Sequence, residues 1–237
     1  MVRLRRGPIP PLLRVHGAEW TERWQILRSG KRRGDWAPAN AKRGLADNLR
    51  KLAFGKCAFC ESLLDVTTYL QIEHYVAKTV HPEQAFEWRN LFPICGRCNR
   101  AKGNVDHAGV LLKPDAGDPE KMLWLHPDTG RLEARAKLGR AARRRVERTL
   151  DLCDLQRGPL CTKRIETMEA TIHWLERMVR VDGCLDDPLR AEWRRLIDPR
   201  TEYKFVIRHV FETRGEPELA ERDRVGFARR GPLKRQP

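Results

Sequence analysis

CAFCESLLDVTTYLQIEHYVAKTVHPEQAFEWRNLFPICGRCNRAKG (residues 57–103) is the stretch on which the reading of this chain turns. It opens on one Cys-x-x-Cys pair, Cys57 and Cys60, and closes on another, Cys95 and Cys98. Each pair forms a tight turn that offers two thiolates to one ion, and two such turns complete a tetrahedral four-sulfur site for zinc. A site closed by four sulfurs has no open position for substrate, so its work is structural: it holds two chain segments in register. The competing reading is a Cys-x-x-Cys redox motif, which seldom comes doubled. Residues 61–94 make a longer insert than a simple zinc ribbon needs, so the insert carries something of its own. Cys153, Cys161 and Cys184 lack partners at ligand spacing and read as ordinary buried cysteines.

Within the insert, LQIEHYV (70–76) reads as a short strand, with Ile72 and His74 on one face and Glu73 and Tyr75 on the other. Asn90 and Leu91 follow, then Asn99 directly after Cys98. Arg100, Lys102 and Gly103 come next and are expected in the first turns of a helix. The order C-x-x-C, E-H, N-L, C-x-x-C-N-x-x-K-G resembles the HNH endonucleases, the ββα-metal nucleases. The resemblance covers about residues 55–105 and implies a zinc-stabilised ββα-metal core. It implies that His74 is the general base for phosphodiester hydrolysis, since a neutral imidazole suits that task near pH 7. Glu73 and Asn99 match the ligand positions for one divalent metal, and their oxygens favour Mg²⁺ or Mn²⁺. Asn90 matches the middle letter, which braces the loop and orients the base. Many members carry His where this chain has Asn99. Strand alternation points Glu73 and His74 apart, so both reach one site only at a strand end or distortion. Lys78, Arg97, Arg100 and Lys102 are candidate phosphate contacts, and His81 and His107 lie near enough to replace a missing ligand. Each residue also has a plainer reading: an exposed strand acid, a core histidine, a loop asparagine, a helix cap. Their joint order between the cysteine pairs is what favours the catalytic one.

The rest of the chain frames this core. Of 237 residues, 47 are Lys or Arg and 32 are Asp or Glu, a net charge of +15. That balance suggests a polyanionic partner, most often nucleic acid, DNA or RNA. The charge is uneven: residues 1–56 carry +10 and residues 57–136 carry −2. No apolar run approaches the roughly 18 residues that span a bilayer. MVRLRRGPIPPLL is basic but broken by prolines, with no apolar core or cleavage site, so no secretory signal is expected and a cytoplasmic location is. Composition thus argues against a membrane protein, a secreted disulfide scaffold and a wholly disordered chain.

The expected class is α+β. Residues 1–56 are expected as a basic N-terminal arm and helices. Residues 57–136 are expected as the core with a hairpin at MLWLH-PDTG-RLEARA, 137–213 as a helical region that also offers a docking surface, and 214–237 as a loose tail. Asn40 is read as a cap for a helix presenting Leu45, Leu49 and Leu52 and ending at Gly55. Leu160, Ile165, Met168, Ile172, Leu175 and Val179 form an apolar stripe; Leu189, Trp193 and Leu196 mark a second helix; YKFVIRHVF is ambiguous between helix and strand. Lys137, Arg140, Arg143, Arg144, Arg145 and Arg148 are placed in one basic helix.

RRGPIPPLL, CAFCE, IEHYVAK, FEWRNLFPICGRCNRAKG and the late helices together resemble one HNH subgroup, that of bacterial anti-phage systems of the Septu type, also found with retrons. Ala77 stands where that subgroup often has Pro. The resemblance implies an ABC-type ATPase as a separate partner, and no G-x-x-x-x-G-K-[ST] loop occurs in this chain. A non-catalytic zinc module that binds nucleic acid or protein is the alternative, and a thiol oxidoreductase a distant third.

Overall fold

The computed structural model describes residues 1, 3–30, 34–65, 69–104, 109–180 and 187–214. The architecture is mixed α+β: a small antiparallel strand pair beside a four-cysteine cluster, with helices elsewhere. Two compact units divide it, one formed by Met1–Leu123 and Ala134–Leu155, the other by Trp124–Glu133 and the described residues from Gln156 onward. No helix among the described residues is long and apolar enough to cross a membrane.

In the first unit, α1 (Pro11–Ser29) starts on a proline, whose missing N–H costs nothing in a first turn. It runs for 19 residues and buries Trp20 and Trp24 on one face. α2 spans Ala39–Leu52. Asn40 is not its cap; Pro38 holds that place, and Asn40 Oδ1 accepts from Ala41 N at 2.9 Å inside the first turn. Leu45 and Leu49 are fully buried on the face the heptad-like spacing marked. Trp20, Trp24, Leu45, Leu49, Phe86, Trp88 and Leu91 form one apolar cluster, with Trp36 and Ile72 against it.

β1 (Leu70–His74) pairs antiparallel with β2 (Leu91–Cys95), with Leu70 opposite Cys95 and His74 opposite Leu91. β2 runs straight into α3 (Gly96–Lys102). The Cys57–Cys60 turn docks on this pair: Ala58 N donates to Pro93 O at 2.9 Å, and Glu61, at φ +67, lets the chain reverse so that Cys57 N reaches Ser62 O. Lys102 and Gly103 lie at the end of α3, not in its first turns, with Gly103 at φ +68 closing the helix. The N-terminal arm is anchored. Arg6 Nη2 donates to Leu91 O at 2.8 Å, the guanidinium also bonds Asp115 and Trp88 O, and it lies over the Trp88 and Phe92 rings. α4 (Arg140–Leu152) completes the unit. Lys137 lies before its first turn, outside the helix in which it was expected.

The expected hairpin forms from β3 (Leu123–Leu125) and β4 (Leu132–Ala134). Its turn needs Gly130 at φ +64; a Cβ there would sit 2.3 Å from Cys161 O. α5 (Gly158–Arg180), α6 (Asp187–Ile197) and α7 (Lys204–Thr213) supply the second unit's core, around a stacked Trp174–Trp193 pair. The ambiguous YKFVIRHVF is helical, because α7 buries Phe205, Val206, Val210 and Phe211 at helical spacing. Cys153 and Cys161 are buried; Cys184 and the tail beyond Arg214 lie outside the described residues.

Candidate active site and metal centre

The sulfurs of Cys57, Cys60, Cys95 and Cys98 all lie within 4.8 Å of one another, and all four residues are buried. A Zn–S bond of about 2.3 Å places tetrahedral sulfurs about 3.8 Å apart, and Cys60 and Cys95 are 3.8 Å apart. Local backbone builds the cluster from both sides. The Cys57 turn hangs on β2, while Cys95 caps α3, its Sγ accepting from Cys98 N at 3.4 Å. The neighbouring thiols hold Cys60 well below the usual thiol range by donating to it, whereas burial pushes Cys57 well above it. Cys95 is also lowered, to about 7, while Cys98 is raised, so the cluster resists ionising all four sulfurs unless a cation is bound. Four converging soft sulfurs match the donor set of a structural zinc site.

Glu73 and His74 occupy the last two positions of β1, and both are buried. Where the strand ends, strict alternation lapses, and both line a single cleft of about 60 Å³ with Lys78, Asn99 and Lys102. His74 Nε2 faces Ala85 O at 3.0 Å. A carbonyl only accepts, so Nε2 carries the proton and Nδ1 keeps its lone pair. Nδ1 is buried and has no hydrogen-bond partner among the described residues. Trp36 presses edge-on against the ring at 4.6 Å between centroids. Burial, helped by the charge of Lys78, pushes the His74 pKa down to about 3. The imidazole is therefore neutral throughout the physiological range, with the Nδ1 lone pair unused by any described residue.

Asn90 sits on the other side of the loop that begins at Tyr75. Its Oδ1 accepts from Val76 N at 2.6 Å; its Nδ2 donates to Val76 O at 3.0 Å and to Gln84 O at 2.9 Å. This clamp closes the 76–84 segment and positions Ala85, the residue that engages His74. The Ala77 carbonyl takes both Val80 N and His81 N and closes the turn there.

Asn99 lines the cleft from α3, and its Nδ2 donates to Gln71 Oε1 at 2.7 Å. Glu73 and Asn99 thus bring a carboxylate and an amide to one cleft, a donor pair suited to a hard divalent cation. Lys102 is a buried partner of Glu73, its Nζ 2.5 Å from Oε1, rather than an exposed phosphate contact. Burial nevertheless pushes the Glu73 carboxyl above its usual range. Lys78 is half-buried at the cleft, 5.8 Å from the Trp36 ring. Arg97 and Arg100 are exposed, Arg97 lying 3.9 Å from Asp154. His81 faces Glu83 and is not among the cleft's lining residues; His107 lies outside the described residues.

Three contributors had no motif to mark them. Trp36 comes from the segment before α2, Ala85 acts through its backbone, and Arg6 fixes Trp88 O and Leu91 O on either side of Asn90. Only Gln71 had a signal: two residues before Glu73, it shares a strand face with that carboxylate.

Residues 57–105 match the family model for HNH endonuclease, and this part of the chain is an HNH endonuclease domain. The chain is distantly homologous to two curated proteins. It is 33% identical over 125 residues to the Septu protein PtuB of Bacillus thuringiensis, covering 52% of this chain and 46% of that protein. It is 33% identical over 116 residues to the Septu protein PtuB of Bacillus mycoides (strain KBAB4), covering 36% of this chain and 39% of that protein. The chain spans less than half the length of these relatives in each match.

Proposed function

We propose that this chain is a metal-dependent HNH endonuclease that hydrolyses phosphodiester bonds, the nuclease effector of a bacterial anti-phage complex of the Septu type. The observation that carries the reading is the state of His74: a buried, neutral ring whose Nε2 is occupied by Ala85 and whose Nδ1 is left to accept a proton at a cleft. In this reading Nδ1 takes the proton of the attacking water. Asn90 and Trp36 hold the ring so that the lone pair does not wander. An incoming phosphodiester, itself an anion, offsets the charges of Lys78 and Lys102 and raises the basicity of the ring as substrate binds. Glu73 and Asn99 would hold a Mg²⁺ or Mn²⁺ ion, which supplies charge stabilisation at the scissile phosphate and the leaving oxygen. The four cysteines hold zinc and keep β2 and α3 in place. Lys78, Arg97 and Arg100 contact the nucleic acid, DNA or RNA. The relatives' shared description as Septu proteins supports a multi-component system. The partner, by resemblance, is an ABC-type ATPase that docks on the helical part of residues 137–213.

One observation favours a non-catalytic zinc module instead: Glu73 already has a cation, Lys102, against it. The deciding experiment is purification with the neighbouring gene product, a zinc assay, and cleavage of DNA and RNA with and without Mg²⁺ or Mn²⁺. Wild type is expected to cut, and His74→Ala to lose cutting by 10²-fold or more while keeping fold and zinc. Equal cutting by His74→Ala sinks the base assignment; binding without cutting under every condition favours the module.

A further inference from the structure

The first unit carries a charged surface outside the cleft. α4 buries Val146, Thr149 and Leu150 and exposes Arg140, Arg144, Arg145 and Arg148 on the opposite side. Among the described residues no carboxylate lies within ion-pair distance of these four arginines. Glu147 and Asp151, also exposed, are the acids of that surface. Arg143 belongs elsewhere: its guanidinium is spent on Arg135 O at 3.3 Å and Ala136 O at 3.2 Å, fastening the start of the helix. Arg140, Arg144 and Arg148 follow at every fourth residue and form a ridge, with a rise of about 6 Å between successive members.

The ridge has a fixed relation to the cleft because the C-terminal end of α4 is moored beside α3. Thr149 Oγ1 accepts from Leu112 N at 2.7 Å. Arg97 of α3 faces Asp154, two residues beyond the helix. Cys153, which caps α4, is close enough to feel the charges of Lys102 and Glu73. α3 carries Asn99 and Lys102 into the cleft, so the ridge starts near the candidate active site and runs away from it.

We infer that the arginine ridge of α4 is a track for the phosphate backbone of a nucleic-acid duplex whose scissile bond lies in the Glu73–His74 cleft. This rests on the nuclease reading for its orientation, while the charge argument stands alone. Guanidinium groups suit phosphate oxygens, and unpaired arginines lose no internal partner when they bind. The ridge from Arg140 to Arg148 extends about 12 Å, and a duplex advances about 3.4 Å per base pair. The track therefore covers about three to four base pairs to one side of the cut. Such contacts add affinity and register without reading sequence.

The test is the salt dependence of binding, measured by fluorescence anisotropy with labelled DNA and RNA duplexes of about 30 base pairs, from about 50 to 200 mM salt, without added Mg²⁺ or Mn²⁺. Arg144→Gln with Arg148→Gln keeps good helix formers at both positions. With one phosphate lost per arginine, the slope of log K against log salt should become shallower by about 1.8, so the variant's affinity deficit should be about 12-fold larger at 50 mM than at 200 mM salt. Arg14→Gln with Arg23→Gln removes the same charge from the exposed side of α1 and should leave the slope as it was. A slope change on only one of the two duplexes supports the track and says whether DNA or RNA runs along it. An unchanged slope on both, the same change in the α1 control, or wild type that binds neither duplex overturns it. So does weakened binding confined to polyglutamate, which would hand the ridge to an acidic protein. The nuclease reading fails separately, if wild type with its partner cuts nothing while the slopes still differ. If both readings hold, the α4 variant loses cutting through a raised KM that follows its binding deficit at the same salt, rather than through kcat.

Discussion

Replacing Asn90 by alanine should be the most damaging single change in the cleft region, although Asn90 makes no chemistry of its own in the proposed mechanism. The side chain makes three hydrogen bonds, to Val76 N, Val76 O and Gln84 O, from a position only 4 % exposed. Each contributes about 1 kcal/mol net, and truncation also strands a Val76 N–H that β1 no longer serves, at about 1–3 kcal/mol. The expected loss is therefore about 4–6 kcal/mol. With a urea slope of about 2–3 kcal/mol/M, the unfolding midpoint should fall by about 2 M. Tryptophan fluorescence reports it directly, since Trp36 and Trp88 sit in the apolar cluster beside the loop. Asn90→Asp should be no better: it keeps the acceptor for Val76 N but turns a carboxylate on two carbonyls. Because the clamp also sets Ala85, cleavage should fall even where the variant is still folded. A midpoint within about 0.3 M of wild type, for either variant, would refute the clamp and with it the positioning argument for His74.

Cys95→Ser should bring zinc per chain from one to well below one and unfold the β2–α3 junction, as read by metal analysis and far-UV circular dichroism. Chelation of the wild type should do the same, because the ion's binding energy is part of the folding energy. Lys102→Met leaves Glu73 buried without its cation, an expected cost of about 3 kcal/mol without divalent metal. Mn²⁺ should restore part of that loss, so the Mn²⁺-induced rise in melting temperature should exceed the wild type's; an equal rise would place the cation elsewhere. Burial pushes the Cys153 thiol up to about 12 from its ordinary value of 9.0. The unfolded thiol ionises above about pH 9 while the folded one stays protonated, so this group contributes a loss of up to about 1.4 kcal/mol of stability per pH unit between pH 9 and 12. Cys153→Ala should flatten that part of the urea-midpoint profile; a slope unchanged by the substitution would contradict it.

The four-cysteine cluster was legible in the sequence because Cys-x-x-Cys is a local geometry: each turn places its own two sulfurs, and only the meeting of the turns is long-range. β1 was legible for the same reason, as periodicity acts over a few positions, whereas the strand at Leu91–Cys95 and the start of α3 at Gly96 were not read from local pattern. The helical state of residues 204–213 was not, since Phe205, Val206, Ile207 and Val210 satisfy both periods until a partner surface selects one. Nor was Asn40's place: the helix starts at Ala39, after Pro38, which supplies no side-chain cap bond, so Asn40 falls inside the first turn.

The sequence by itself determined which residue types stand in which order: two thiols, then a carboxylate beside an imidazole, an amide, two more thiols and a second amide. Chemistry dictates what such groups can hold or accept wherever they meet. Only the tertiary structure decided that Glu73 and His74 share a cleft at the strand's end, that Lys102 turns inward to Glu73, and that Trp36, Ala85 and Arg6 support the ring and its loop. These contacts join residues far apart in the chain. Their energies come from burial and from satisfying backbone groups, which no short window of sequence encodes.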